Sequence, residues 1–380
     1  MNSIKNYLDG RDNEILEDIR LLVEKESPTL EKSLVDECGE EIKKLFKNYL
    51  NLEPKVIEDE TYGNHLLFEF GNLDSDEQML ISGHFDTVWD KGELPFIIDE
   101  NKAYGPGTID MKGGLVIAIW ALRAIKDLSL DLNKRIVFLC NSDHEGVASP
   151  HSRKYIEEQA LKSEVVLVPE AAVAHTNALK TERKGILRYK ITTHGKAAHS
   201  GNNPEDGINA IVEMANHIKT LDKLNENKLG TTVNIGKING GTGVNAIADK
   251  AVINVDIRVK TMDEAHRIKS IVESLTPIKD GIKLDIEGGI VRPSMEKTEK
   301  TDEIFNIVKR LGDEIGYEVK EASVGGGSDG SFAAALGIPT IDGLGAAGVG
   351  PHSREEHILI DHLAIKSTLL SNLIIELDKK

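Results

Sequence analysis

The sequence predicts an α/β fold: a doubly wound domain with a smaller α+β, ferredoxin-like unit inserted into it. Three observations carry this. Short apolar runs alternate with segments of helical spacing between residues 66 and 168, the pattern of a sheet covered on both faces. The texture changes after Thr181 to half-exposed, alternating strands. From Pro293 onward the first pattern returns. One domain built from both ends of the chain (1–182 and 292–380), with an insertion at 183–291, accounts for all three.

Residues 12–50 read as helical, because Leu16, Ile19, Leu22 and Val23, and then Ile42, Leu45 and Phe46, recur at helical spacing. Leu66 to Phe70 and Gln78 to Ser82 read as strands. Gly114 to Ile125 is rich in Ala, Leu and Ile and reads as a helix. The apolar runs Arg135 to Cys140 and Val165 to Val168 suit buried strands. In the insertion, Leu187 to Thr193 alternates as a half-exposed strand does, and Asp206 to Lys223 has helical spacing. Thr232 to Ile238 and Ala251 to Val259 are strands, Glu264 to Leu275 a helix, and Ile282 to Ile286 a last strand.

The chain has 380 residues, 40% hydrophobic and 29% charged, enough for two domains with sizeable cores. Aromatics are only 4%, so packing rests on Ile, Leu, Val and Ala. A formal net charge of −17 argues against nucleic acid as a partner, since that needs a basic surface. Cys38 and Cys140 are the only cysteines, which fits a reducing compartment. Met1 to Arg11 is polar, unlike a signal peptide, and no run approaches the length of a membrane span. The expectation is a soluble cytoplasmic protein that binds no membrane.

Five motifs bear chemistry. Gly83-His84-Phe85-Asp86-Thr87-Val88 follows a strand, and in open α/β sheets ligands bind beyond the carboxyl ends of strands. A His there can ligate a metal while an Asp two residues on holds its other ring nitrogen; a capped turn with a surface His is the plainer alternative. Gly105 to Gly114 is a Gly-rich loop presenting Asp110 before an apolar helix. Its carboxylate either bridges two metal ions or caps that helix. Asn141-Ser142-Asp143-His144-Glu145 and Val168-Pro169-Glu170 follow buried strands, and Gly350-Pro351-His352-Ser353 lies in a Gly-rich loop. Singly, these three read as solvated loops. Together, His84, Asp110, Glu145, Glu170 and His352 form a nitrogen/oxygen donor set suited to zinc and contain no thiolate, which excludes an iron–sulfur or all-cysteine site.

Here the sequence resembles the zinc metallopeptidase family of glutamate carboxypeptidase, acetylornithine deacetylase, succinyl-diaminopimelate desuccinylase and aminoacylase. The resemblance covers nearly the whole chain, in residues 82–88, 105–114, 143–145, 169–170, 181–185 (Thr-Glu-Arg-Lys-Gly), 195–201 (Gly-Lys-Ala-Ala-His-Ser-Gly), 325–329 (Gly-Gly-Gly-Ser-Asp) and 351–353. Gly-Gly-Gly-Ser-Asp and Ile341-Asp342-Gly343-Leu344-Gly345 lean towards the glutamate carboxypeptidase branch. The resemblance implies two Zn²⁺, with Co²⁺ or Mn²⁺ as alternatives. Asp110 would bridge them, His84 and Glu170 would complete one site, and Glu145 and His352 the other. Asp86 would orient His84. The insertion would be a lid and a homodimerisation surface. In it, His199 would stabilise an oxyanion and Asn245 would contact substrate. Arg292 would hold a free carboxylate, apt for a planar guanidinium, with a surface cation as the alternative; Gly327 would also line the substrate site.

The implied reaction is hydrolysis of an amide bond next to a free carboxylate, in a small peptide or an N-acyl amino acid. Carboxypeptidase or dipeptidase action stands ahead of N-acyl amino acid deacylation. One departure matters. The family places two glutamates after the Asp, the first as general base, and this chain has His144 there, with the following segment one residue longer. A His can act as a base near neutral pH, with a different reach and shape, or can itself bind zinc and distort the pair. A catalytically impaired metal-binding homologue is the third reading.

Overall fold

The computed structural model describes residues 2–380. They form two compact units: residues 2–182 with Lys297–Val324 and Ser328–Lys380, and Arg183–Glu296 with Gly325–Gly327.

The first unit opens with α1 (Asn2–Leu8), α2 (Asp12–Glu24) and α3 (Lys32–Leu50). The single helical stretch expected over 12–50 is therefore two helices. The break holds Pro28, which disfavours helix in the residue before it. Residues 27–29 run beside 85–87 instead: the Ser27 hydroxyl donates to the Phe85 carbonyl at 2.5 Å, and Thr87 N–H donates to Ser27 O at 2.8 Å. Helix α1 has no counterpart in the sequence reading, because among its described side chains a seven-residue segment buries only Ile4 and Leu8 and shows barely one period.

Next come β1 (Lys55–Ile57), β2 (His65–Gly71), β3 (Gln78–His84), β4 (Ile97–Asp99), β5 (Lys102–Tyr104), α4 (Gly113–Asp127), β6 (Arg135–Asn141), α5 (Arg153–Leu161), β7 (Val165–Val168) and β8 (Leu179–Arg183). The second unit holds β9 (Gly185–His194), α6 (Ala210–Asp222), β10 (Thr232–Gly240), β11 (Lys250–Val259), α7 (Met262–Glu273) and β12 (Lys283–Arg292). The first unit resumes with α8 (Glu299–Ile315), β13 (Glu321–Val324), α9 (Gly330–Ala335), β14 (Thr340–Asp342), β15 (Gly348–Val349), β16 (His357–Leu359) and α10 (Leu363–Asp378).

The main sheet has strand order β1-β2-β6-β3-β7-β14-β8-β13, and its centre, β6-β3-β7-β14, is parallel. Both faces of that centre are covered, which is why its strands read as unbroken apolar runs. Met79, Ile81, Ile136 and Phe138 join the large core with Trp120 and Leu370. Leu80, Val137, Leu139 and Val166 point the other way, onto Ile156 of α5 and Phe332 of α9. Parallel register pairs His84 with Asn141 and Asp342 with Val168, so the carboxyl ends of all four strands lie along one rim. A small antiparallel sheet, β15-β16-β5-β4, completes the unit.

In the second unit the antiparallel order is β10-β11-β9-β12. Leu187, Tyr189 and Ile191 of β9 are buried with Met214 of α6 and Ile268 of α7, while Arg188 and Lys190 between them are exposed, the alternation read from the sequence. Helix α6 starts at Ala210, later than the expected Asp206, because Asn209 Oδ1 accepts the N–H groups of Ile211 and Val212 at 3.0 and 3.2 Å and caps it. The unit also runs past the expected boundary at 291, to Glu296. Arg183 and Met295 exchange two main-chain hydrogen bonds of 3.0 Å, and Glu296 accepts the Met262 N–H at 2.8 Å. Gly325–Gly327 belong to it too, since Arg183 Nη1 donates to the carbonyls of Gly326 and Gly327 at 3.1 and 3.0 Å. Among the described residues no helix is long and apolar enough to cross a membrane, and both cysteines are buried and free.

Candidate metal centre

Three of the five ligating side chains expected from the sequence sit on or just beyond the carboxyl rim of the parallel strands. His84 ends β3, Glu145 lies four residues beyond β6, and Glu170 two beyond β7. Pro169 and Glu170 are held by close packing on either side. A Cβ on Gly114 would stand 1.7 Å from the Pro169 carbonyl oxygen, and one on Gly345 2.0 Å from it, so only glycine fits at both positions. Asp110 lies in an irregular turn, Thr108–Lys112, where its own backbone is extended (φ −126°, ψ 89°) and its bond to Met111 is cis. No side chain caps α4, so the helix-cap alternative for Asp110 is wrong. His352 comes from the loop before β16.

Two three-residue groups share Asp110: His84, Asp110 and Glu170, and Asp110, Glu145 and His352. In each, the potential donor atoms all lie within 4.8 Å of one another. His84 Nε2 is 3.3 Å from Asp110 Oδ1 and 3.7 Å from Glu170 Oε1. His352 Nε2 is 3.2 Å from Asp110 Oδ2 and 3.1 Å from Glu145 Oε1. One carboxylate thus turns an oxygen to each group.

Burial works against a charged His84, yet the carboxylates of Asp110, Asp86 and Glu170 hold its pKa well above the usual imidazole value. Burial likewise works against an ionised Asp110, while His352 and His84 hold it well below the carboxylate range. Asp110 and Glu145 push His352 up to about 10. Three carboxylates converging on one buried spot need positive charge to offset their desolvation. The buried His84 Nε2 and Asp110 Oδ1 also face each other with no hydrogen-bond partner among the described residues. A buried imidazole nitrogen and a carboxylate oxygen left without hydrogen bonds in one place fit a divalent cation, and the nitrogen/oxygen set fits zinc.

Asp86 does more than was read from the sequence, and partly something else. The acceptor within hydrogen-bond geometry of His84 Nδ1 is the Asp86 main-chain carbonyl at 3.1 Å; carboxylate Oδ1 lies at 3.4 Å. Oδ2 accepts the Glu145 N–H and the Thr29 hydroxyl, each at 2.8 Å. One buried residue therefore fixes a ligand from each group.

His144 stacks on His84, ring centroids 4.0 Å apart and planes within 3°. Its Nδ1 lies 2.9 Å from Asp329 Oδ2. A ring nitrogen of His144 also falls within 4.8 Å of donor atoms on His84 and Glu145. Asp329 was visible only as the end of Gly-Gly-Gly-Ser-Asp and had no role assigned. Glu356 was missed outright. It is buried, takes the Trp89 indole N–H at 2.7 Å, and accepts the N–H groups of Ile109 and Asp110 at 3.2 and 3.4 Å. Burial, with the nearby Asp110 charge, raises its pKa to about 7. Its only sequence signal is a Glu-Glu pair close after His352. Lys112, also buried, ties the same turn to α2 by donating to the carbonyls of Leu22 and Lys25 at 2.9 and 3.0 Å.

The remaining candidates lie in the second unit. His199 and Asn245 are neighbours: residues 199 and 246 form a β-bridge, and Ser200 N–H donates to Asn245 O at 3.0 Å. His199 is exposed, and its Nδ1 accepts the N–H groups of Gly201 and Asn202 at 3.2 and 3.1 Å, so the neutral ring carries its proton on Nε2. Arg292 ends β12 and is buried, which rules out the surface-cation alternative. Gly327 packs on it so closely that a Cβ there would stand 2.7 Å from Arg292 Cδ.

Residues 80–376 match the description of peptidase family M20/M25/M40. Carboxypeptidase G2 of Pseudomonas sp. (strain RS-16) is 30% identical over 319 residues, covering 79% of this chain and 74% of that one. Among solved structures, aminopeptidase PepT of Bacillus cereus matches with a TM-score of 0.74 at 23% identity, covering 97% of this chain and 99% of that one. A dinuclear metal-binding peptidase of Bacillus subtilis matches with a TM-score of 0.69 at 15% identity, covering 97% and 98%. These structural likenesses bear on the fold, and they agree with a doubly wound domain carrying an α+β insertion.

Proposed function

The chain belongs to peptidase family M20/M25/M40 and is a metal-dependent hydrolase; within that family we propose that it is a two-zinc enzyme of carboxypeptidase or dipeptidase type. It cleaves an amide bond next to a free carboxylate in a small peptide or N-acyl amino acid. The observation that carries this reading is the pair of donor groups sharing Asp110. The relative named carboxypeptidase G2 supports the choice of bond.

His84, Asp110 and Glu170 would hold one ion, and Asp110, Glu145 and His352 the other. Two bound ions supply an acidified water and a polarised scissile carbonyl. The protein's own groups do the rest. His144 takes the water's proton and later gives it to the leaving amine, the role the family assigns to a glutamate. His199, protonated on Nε2, donates a hydrogen bond to the developing oxyanion. Arg292 pairs with the substrate's free carboxylate, and Asn245 and Gly327 line the same substrate. Asp86 and Glu356 hold the ligand-bearing loops still.

We also infer a homodimer formed through the second unit. Strand β10 is an open sheet edge, and Ile238 on it and Ile211 and Val212 on α6 are exposed apolar side chains. Two buried, unpaired cysteines support a cytoplasmic setting.

The test is a metal titration read on a substrate panel. Protein stripped with a chelator should lose activity and thermal stability, and regain both with zinc. Dipeptides and N-acyl amino acids with a free carboxylate should be cleaved, and their amidated counterparts should not. Full activity without metal, or equal rates on free and amidated substrates, would refute the reading. Acetyl-amino acids outpacing dipeptides would assign the chain to the deacylases. Metal binding without turnover of any substrate would identify an impaired homologue.

A further inference from the structure

We propose that Asp329 is a positioning residue for His144: it holds the Nδ1–H of that imidazole and so leaves the Nε2 lone pair as the proton acceptor at the metal centre. This rests on the hydrolase reading above and explains how a histidine stands where the family has a glutamate.

Asp329 immediately precedes α9 and is buried. Both of its oxygens serve one loop. Oδ1 accepts the Ser149 hydroxyl at 2.6 Å, and Oδ2 accepts Asn141 Nδ2 at 2.8 Å and faces His144 Nδ1 at 2.9 Å. Asn141 closes β6 and Ser149 closes the turn after it, in which Ala148 N–H donates to His144 O and Ser149 N–H to Asp143 O at 3.0 and 2.8 Å. The carboxylate therefore grips the extended loop at both ends and the ring between them. The stack on His84 fixes the plane of that ring independently.

The tautomer follows from the partner. An ionised carboxylate only accepts, so the nitrogen facing it carries the proton, and a neutral imidazole then has its lone pair on Nε2. A glutamate needs no such device, because its two oxygens are equivalent. An imidazole with its proton on the wrong nitrogen cannot act as a base at that position. In the step itself, water oxygen bonds to the carbonyl carbon while its O–H bond breaks and the proton passes to Nε2. As the C–N bond breaks, Nε2 returns that proton to the leaving nitrogen. Asp329 stays ionised throughout and receives no proton.

The first test needs no turnover. In ¹⁵N-histidine-labelled protein loaded with ¹¹³Cd, two-bond ¹H–¹⁵N spectra report each ring's tautomer and any bond to metal, and His144→Gln assigns the His144 signals. The expected result is a protonated Nδ1 on His144 and an Nε2 with no cadmium coupling. A protonated Nε2, or cadmium coupling at Nε2, overturns the proposal; the latter would make His144 a ligand. In the second test, Asp329→Ala should mix the tautomers and lower kcat by roughly 10²–10⁴-fold, the range for a general base. KM should stay within about threefold, since substrate binding is untouched, and metal content should not change. Asp329→Asn, whose amide oxygen can still accept from Nδ1, should recover part of kcat and of the tautomer, and it serves if the alanine variant does not fold. Folded variants with wild-type kcat refute the role. Failure of the hydrolase reading looks different: metal-loaded wild type turns over nothing while His144 keeps its Nδ1–H form.

Discussion

Asp86 offers the sharpest separation of metal binding from folding. Asp86→Ala removes the acceptor for two buried donors, the Glu145 N–H and the Thr29 hydroxyl. The hydroxyl has a second acceptor in Thr87 O at 3.2 Å, so most of the cost falls on the amide. An unmet buried donor costs about 1–3 kcal/mol, and metal-free protein should lose that much stability. Asp86→Asn is the informative partner. Its amide oxygen can keep both donors by taking the Oδ2 position, which turns the NH₂ towards His84 Nδ1, now 3.4 Å from Oδ1. The Asp86 main-chain carbonyl still accepts from Nδ1, but a donor in place of the second acceptor weakens the preference for Nδ1–H over a proton on Nε2, the atom that faces Asp110 and Glu170. Metal affinity should then fall by about 10–100-fold, the usual effect of losing an orienting group behind a ligating histidine. At about 1.4 kcal/mol per tenfold, that is roughly 1.4–2.8 kcal/mol. Chelator competition reads the affinity and denaturant unfolding of metal-free protein reads the stability. Wild-type metal affinity in Asp86→Asn would refute the argument, as would a stability loss equal to that of Asp86→Ala.

Three further outcomes are expected. Arg292→Ala should raise KM for free-acid substrates by the equivalent of about 2–5 kcal/mol, the cost of breaking a desolvated charge pair, and barely affect amidated ones; equal losses on both would make Arg292 structural. Lys366 is fully buried, with Nζ donating to Gly343 O at 3.1 Å, and burial, aided by Lys180, pushes its pKa down from 10.5 to about 7. The unfolded chain binds that proton more tightly, so this residue makes stability rise with pH between about 7 and 10.5. Lys366→Met should therefore be the more stable protein near pH 7, with an advantage on the order of a kcal/mol or more that shrinks by pH 10 in denaturant titrations; a pH-independent difference would refute this. Residues 183–296 produced alone should be folded by circular dichroism and dimeric by sedimentation, and an unfolded fragment from a stable parent would sink the idea of an autonomous unit.

Much of the first unit was legible because its signals are local. Buried parallel strands must be apolar on both faces, so β3, β6 and β7 stand out as unbroken runs, and the polar residues just beyond them mark the rim where ligands bind. His84, Glu145 and Glu170 stand at that rim, though singly Glu145 and Glu170 read as solvated loop charges and only the set taken together points to a metal. The alternation of Leu187, Tyr189 and Ile191 against Arg188 and Lys190 marks a strand covered on one face for the same reason. Local signals misled where distant partners intervened. Helical spacing continues across residues 12–50, but residues 27–29 are claimed by the His84–Thr87 loop, so the helix breaks there. Asp110 has the look of a helix cap, and only the folded chain turns its two oxygens to imidazoles that lie 26 residues before it and 242 after it.

The sequence by itself determined the alternation of elements, the inserted unit and the donor types at the strand ends, because hydrophobic period and residue chemistry act within a few residues. Only the tertiary structure decided which donors gather around Asp110 and that His144 Nδ1 faces Asp329. It also decided that Glu356 and Asp86, rather than the ligands themselves, hold the loops in place. Those outcomes depend on hydrogen bonds between segments far apart in the chain, such as His144 with Asp329 and Ile109 with Glu356. No spacing records such a bond, since its strength depends on burial and angle, which exist only once the chain has folded.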